Sequence, residues 1–394
     1  MGTTGGQRVS NNNIPLVDLG AQQLEIDEEV MVGLKQVFAT TSFIGGPQVG
    51  KFETDYADYL GAKHCIGVGN GTDALELALR ASGVEAGGEV ILPANTFIAT
   101  AEAVCRIGAV PVLVDVDPQY LLIDPERVRE AVTERTQAII PVHLFGQTAF
   151  VEQLEPIARE CGAVIVEDAA QSQGATRFGR AAGTLGRAAG TSFYPGKNLG
   201  AAGDAGAVLT GDDDVAARVR LLSAHGSAQK YRHDAVGMNS RLDTVQAVVL
   251  NAKLARLERW NERRRDAAAR YNEILSGIPG IELPRQAPGN SDVWHLYVIR
   301  VEDRDHVLAE LNSAGIGAGI HYPTPVHLTD AFAHLGLGPG SFTVAEEAAG
   351  RILSLPLFPH ITATQQRRVE AVLRNSVSTH PIGTDLDLLS GLSA

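Results

Sequence analysis

Apolar and polar positions follow two rhythms along the first 250 residues. Short, continuously apolar runs occur at 64–68 (HCIGV), 89–94 (EVILPA), 109–116 (AVPVLVDV), 137–144 (QAIIPVHL), 163–170 (AVIVEDAA) and 205–210 (AGAVLT). Stretches of helical period at 72–82, 149–162 and 212–223 separate several of them. Strands that are apolar on both faces belong in a sheet covered by helices on each side, and strand–helix alternation builds such a sheet from parallel strands. The predicted fold class is therefore α/β with a mostly parallel sheet. From Arg241 to Leu275 the pattern stays helical, without an internal Gly or Pro, until Gly277-Ile278-Pro279-Gly280 breaks it. This long helix is predicted to join two lobes. Beyond it, VWHLYVIRV at 293–301, a helix around 304–314 and GIGAGIHY at 315–322 predict a small β–α–β lobe.

The expected organisation is a flexible segment over 1–13, a large domain over 14–255, a smaller C-terminal α+β domain over 256–380, and a tail over 381–394. The 394 residues are enough for two such cores, and 44% hydrophobic with 20% charged residues excludes a disordered or collagen-like chain. A net charge of −13 repels phosphate backbones, so nucleic acid is not an expected partner. The Arg263-Arg264-Arg265 run lies within a helical turn of Glu258 and Glu262 and reads as a solvated helix face. Cys65, Cys105 and Cys161 are too far apart for a metal pair and too few for a disulfide framework. No apolar run approaches the roughly 18 residues of a membrane span, and the polar N-terminus lacks the order of a secretory signal. A reducing, cytoplasmic setting is expected, with neither membrane nor metal.

Three motifs carry chemistry. In GVGNGTDALELAL at 67–79 a strand runs through a glycine-rich turn into a helix, and main-chain amides at such a helix N-terminus bind phosphate. Gly69, Gly71 and Ala74 also fit the G-x-G-x-x-A spacing of a dinucleotide site, with Glu89 about where a ribose-binding acid belongs, so a Rossmann oxidoreductase is a rival reading. Glu167-Asp168-Ala169-Ala170-Gln171 follows an apolar strand. Asp168, at that strand's C-terminal end, points to the crevice where α/β sheets bind ligands, as a metal ligand, a ribose acceptor, a helix cap or the partner of a protonated pyridine nitrogen. Lys197 is the sole charge in TSFYPGKNLG at 191–200, bracketed by Gly196 and Gly200. Desolvation there would lower its pKa and free the amine as a nucleophile, as in a Schiff-base lysine. Pyridoxal phosphate (PLP) accounts for all three motifs at once, whereas a dinucleotide leaves Lys197 unexplained. His143 and His295 read as structural, and His225, His233, Lys230 and Arg232 as a basic loop meeting a nucleotide diphosphate.

At these residues the chain resembles the DegT/DnrJ/EryC1/StrS sugar aminotransferases, within the type I (aspartate aminotransferase-like) PLP fold. The likeness runs in order through IPLVDL (14–19), FIGGPQVGKFE (43–53), NGTDAL (70–75), PVHLFGQ (141–147), EDAAQ, SFYPGKNLG, GMNSRLD (237–243), IHYP (320–323) and LSLPL (353–357), covering roughly residues 14 to 375. The resemblance implies a seven-stranded large-domain sheet and assigns roles. Lys197 forms the imine with the cofactor, Asp168 pairs with the pyridine nitrogen, Gln171 contacts the ring hydroxyl and Phe97 stacks on the ring. Gly71, Thr72 and Ser192 bind the phosphate together with Asn239 from a second subunit, which implies a homodimer. His321 and Tyr322 line the sugar pocket. Relatives that dehydrate sugars carry histidine in place of the lysine, so Lys197 favours transamination. The implied partners are L-glutamate, 2-oxoglutarate and a nucleotide-linked keto-sugar. Members that aminate C3 of a 6-deoxy ketosugar are the most similar, with C4 amination as the alternative and a non-catalytic regulator on the same fold as a third reading.

Overall fold

The structure is a computed structural model describing residues 13–229 and 231–378. Lys230, the first twelve residues and the tail therefore lie outside the described residues. Seven strands form the large sheet: β1 (His64–Val68), β2 (Glu89–Pro93), β3 (Val110–Val114), β4 (Thr136–Ile139), β5 (Val164–Asp168), β6 (Ala188–Ser192) and β7 (Gly206–Thr210). Their order is β1-β7-β6-β5-β4-β2-β3. The run from β6 to β3 pairs in parallel, and β7 is antiparallel to both of its neighbours. The α/β, mostly parallel prediction holds, and six of the strands are the apolar runs read from the sequence.

β6 escapes that reading because its residues, AAGTS, carry almost no apolar bulk. Their smallness is what the packing requires. A Cβ built on Gly190 would lie 2.8 Å from the main-chain nitrogen of Leu75, in the Gly71–Ala81 helix that crosses β6. Gly190→Ala is expected to lower stability by about 1–3 kcal/mol, the usual range for overpacking a filled core. A thermal melt of the purified variant checks this, and an unchanged midpoint would refute the close approach.

The Thr244–Leu275 helix starts three residues later than the sequence pattern implies. Its 32 residues reach about 48 Å at roughly 1.5 Å per residue. Ala247, Leu250 and Leu257 pack with Phe52, Tyr56 and Phe193 beneath the large sheet, whereas Ala267, Ala268, Tyr271 and Leu275 belong to the apolar cluster of the small lobe. Between the two sets, buried Arg264 donates from Nη1 to the carbonyls of Trp294 (3.2 Å), His295 (3.4 Å) and Leu357 (3.1 Å). Ile14 also joins the small lobe's cluster and forms a bridge with Ile316.

The small lobe corrects one expectation. Its antiparallel sheet pairs Ile281–Glu282 and Ile352–Leu355 with the two sides of Tyr297–Val301, and the Arg304–Ser313 helix packs alongside. GIGAGIHY is not a strand. It makes isolated bridges at Ile316 and Gly319, and glycine at every second position from 315 to 319 leaves few side chains to hold a ladder. Among the described residues no helix is long and apolar enough to cross a membrane.

Candidate active site

The C-terminal ends of β5 and β6 open onto a cavity of about 680 Å³, a size that suits a cofactor with room for substrate. Asp168 stands at the last position of β5, 6% exposed. The hydroxyl of Thr100 donates to its Oδ2 (2.7 Å), and the Ala170 N–H donates to its Oδ1 (3.1 Å). Thr100 is a functional neighbour that sequence reasoning missed. It sits in the Ile98–Arg106 helix, 68 residues from Asp168, and no local pattern links them.

The lysine loop leaves β6 through a turn in which the Lys197 N–H donates to the Tyr194 carbonyl (2.8 Å). Gly200 lets the chain return, since a Cβ there would lie 2.3 Å from the Pro195 carbonyl oxygen. The turn aims the Lys197 side chain into the cavity, where burial pushes its amine down to about 8 although Asp168 pulls the other way. About one-tenth is then the free, nucleophilic base at pH 7, against less than about one in a thousand for an ordinary lysine.

Beside the lysine loop, the Gly71–Ala81 helix presents its N-terminus to Ser192. Asn70 Oδ1 accepts from the Asp73 N–H (2.8 Å), while among the described residues the N–H groups of Gly71 and Thr72 have no partner. A Cβ on Gly71 would lie 2.6 Å from Ser192 Cβ, so only glycine lets the helix end and the hydroxyl share one anion pocket.

Gln171 connects the walls. Its Oε1 accepts from the Phe145 N–H (2.7 Å), and its Nε2 donates to the Tyr322 hydroxyl (3.0 Å). Burial, then the Asp168 charge, raise the Tyr322 hydroxyl above its usual range and keep it protonated. The Phe97 ring lies 5.3 Å from that of Tyr322 and is half exposed toward the opening. His321 faces the same cavity, hydrogen-bonded through Nδ1 to Ser354 Oγ (2.8 Å), and burial and Lys197 both disfavour its charged form.

Nine of the ten site residues read from the sequence thus line one cavity. Asn239 does not; it is exposed, in a segment bridged to Ala224. The Rossmann rival fails on geometry. Glu89 is the first residue of β2, at the sheet edge opposite the cavity, and is engaged by Thr133 and Arg135. Strand β1, which leads into the glycine turn, lies at the sheet's margin rather than its middle. His143 is fully buried: its Nδ1 accepts from the Ala149 N–H (3.0 Å), and its Nε2 faces Glu167 Oε2 at 2.8 Å.

A desolvated amine to condense with an aldehyde, a carboxylate to hold a ring nitrogen's proton and a pair of free amides to take a phosphate answer the chemistry of PLP point by point. The fold and these residues define a PLP-dependent enzyme of the aminotransferase type. The profile of the DegT/DnrJ/EryC1/StrS aminotransferase family matches residues 24–374, and the chain belongs to this family of PLP-dependent sugar transaminases. It is 48% identical over 362 residues to the erythromycin biosynthesis sensory transduction protein EryC1 of Saccharopolyspora erythraea, covering 92% of this chain and 99% of that one. It is 44% identical over 367 residues to the dTDP-3-amino-3,4,6-trideoxy-alpha-D-glucose transaminase of Streptomyces venezuelae, covering 93% of this chain and 97% of the relative. The crystal structure of DesV from S. venezuelae with a ketimine intermediate superposes with a TM-score of 0.90 at 44% identity, over 92% of this chain and 98% of that one. Other relatives carry the names of UDP-sugar aminotransferases.

Proposed function

We propose that the protein transfers an amino group from L-glutamate to C3 of a nucleotide-linked 3-keto-6-deoxy sugar, dTDP-borne, releasing 2-oxoglutarate. The observation that carries the transfer chemistry is the desolvated Lys197 amine in one cavity with buried Asp168. PLP, when bound, supplies an aldehyde carbon that exchanges amino groups and a ring that withdraws electrons while its nitrogen is protonated. Asp168, oriented by Thr100 and the Ala170 N–H, holds that proton. The amides of Gly71 and Thr72 and the Ser192 hydroxyl bind the phosphate, Gln171 orients the ring hydroxyl, and Phe97 covers the ring face. Lys197 attaches the cofactor and, once released, takes a proton from one face of the bound reactant and returns it nearby as general base and acid. His321 and Tyr322 contact the sugar.

We further infer a homodimer in which each copy lends Asn239 to the other's phosphate pocket, because Asn239 is exposed and outside its own cavity. The C3 preference rests on relatives named for 3-amino sugars and 3-keto sugars; C4 amination is the alternative. The regulator reading has a relative's name behind it, but it gives no role to the lysine's lowered pKa.

The test is the visible spectrum of the PLP-loaded protein. Glutamate alone should bleach the yellow band, and a 3-keto nucleotide sugar, but not its 4-keto isomer, should restore it. A band indifferent to glutamate refutes the donor, and recovery with the 4-keto isomer alone refutes the C3 assignment.

A further inference from the structure

The segment from Thr96 to Thr100 links β2 to the Ile98–Arg106 helix. A threonine at a helix start usually caps it, the side-chain oxygen accepting from a free amide of the first turn. Here the N-cap is Phe97, without a side-chain cap bond, and the Thr96 hydroxyl lies 2.7 Å from that of Thr100 instead. The Thr100 hydroxyl in turn reaches Asp168 Oδ2, also at 2.7 Å. Thr96 is 3% exposed, Thr100 0% and Asp168 6%, so water has little part in this chain, and each hydroxyl must find its partner in the protein. The same short segment carries Phe97 at the cavity opening.

The chain of hydroxyls has a direction. An ionised Asp168 has only acceptors, so the single hydroxyl proton of Thr100 is spent on Oδ2. Toward Thr96, Thr100 can then only accept, and the Thr96 proton points to it rather than into the cavity that Thr96 also lines. With the Ala170 N–H on Oδ1, each carboxylate oxygen has a donor from the protein. A hydroxyl whose own oxygen accepts a hydrogen bond is polarised into a stronger donor, so Thr96 acts on Asp168 without touching it. The other charged and titratable groups around the carboxylate are the Lys197 amine on the lysine loop and the Tyr322 hydroxyl on the segment that carries His321.

We propose that Thr96 and Thr100 form a directed relay of hydroxyls that holds Asp168 as the charged carboxylate, Thr96 being a positioning residue that works through Thr100. A carboxylate and a ring nitrogen share one proton, and in a dry site the uncharged arrangement, with the proton on the carboxyl, competes with the ion pair. Donors that face the carboxylate stand in for water and keep the proton on the nitrogen, where the ring withdraws electrons. This inference rests on the aminotransferase reading for the ring, whereas the direction of the relay rests on hydrogen-bond chemistry.

Valine removes either hydroxyl with little change of shape, and serine keeps the hydroxyl and loses only a methyl. In protein loaded with ¹⁵N-labelled PLP, the pyridine nitrogen resonance reports where the shared proton sits. It should read as protonated in the wild type, move toward the unprotonated position in Thr100→Val, and move the same way by less in Thr96→Val. Both serine variants should stay near the wild type. Losing a hydrogen bond to a charged group should lower kcat about 10- to 100-fold in Thr100→Val, and losing one between neutral hydroxyls about 3- to 10-fold in Thr96→Val. Adding Thr96→Val to Thr100→Val should change nothing more, because the relay is already cut. Valine variants with the wild-type resonance, a Thr96→Val effect undiminished in the double variant, or serine variants no better than valine overturn the proposal. A wild-type nitrogen found unprotonated overturns it together with the Asp168 pairing. Failure of the wild-type protein to react with glutamate strikes the donor assignment alone and leaves the resonance series standing.

Discussion

Lys197→Ala is expected to abolish turnover, by about 10⁴-fold or to below detection. General acid–base work alone contributes roughly 10²–10⁴, and the same amine also supplies the covalent attachment. The yellow band should disappear with it, because among the described residues that line the cavity no other is a lysine. The side chain projects into a preformed cavity rather than into an apolar core, so its truncation should leave the thermal midpoint nearly unchanged. In the wild-type protein the rate at which the band appears on adding PLP should rise tenfold per pH unit and level off above about pH 8, where the amine is mostly deprotonated. Retained turnover in the alanine variant would end the catalytic assignment, and a plateau two units higher would show that burial does not act on this amine as described.

The second large effect is that of Asp168→Ala, with a rate loss of about 10²–10⁴-fold and some cofactor still bound. Removing one member of a buried charge pair costs roughly 3–5 kcal/mol, and each 1.36 kcal/mol is a factor of ten in rate. Binding survives in part because the phosphate pocket at Gly71, Thr72 and Ser192 belongs to a different element. Separate titration of PLP and steady-state kinetics distinguish the two contributions. Near-normal rates would refute pairing with the ring nitrogen, and complete loss of PLP would show that Asp168 serves binding rather than reactivity.

What the sequence reveals and what it hides divide along a physical line. Lys197, Asp168 and the glycine turn are legible because each violates its local surroundings: a lone charge in an apolar loop, a carboxylate after a buried strand, a break before a helix. Thr100 violates nothing locally. Its place beside Asp168 arises from a hydrogen bond that closes over 68 residues of chain, and no short window of sequence contains both partners. The same distinction runs through the fold. Bulky apolar strands announce themselves, whereas β6 is held by its ladders to β5 and β7 and kept small by the close approach of the Gly71–Ala81 helix, and the Ile352–Leu355 strand takes the place in the small sheet that GIGAGIHY lacks the side chains to fill.

The Thr244–Leu275 helix is continuous through both apolar clusters, with Leu250 in one, Tyr271 in the other and Arg264 holding three carbonyls between them. A rod shared in this way makes neither lobe a self-sufficient folding unit. Melting the helix anywhere along its length strips apolar cover from both cores, so denaturant should meet one cooperative transition rather than two. Severing the chain in mid-helix would give halves that each expose a stripe evolved for burial. Recombining lobes between relatives should therefore succeed only at joints that carry the whole helix with one parent.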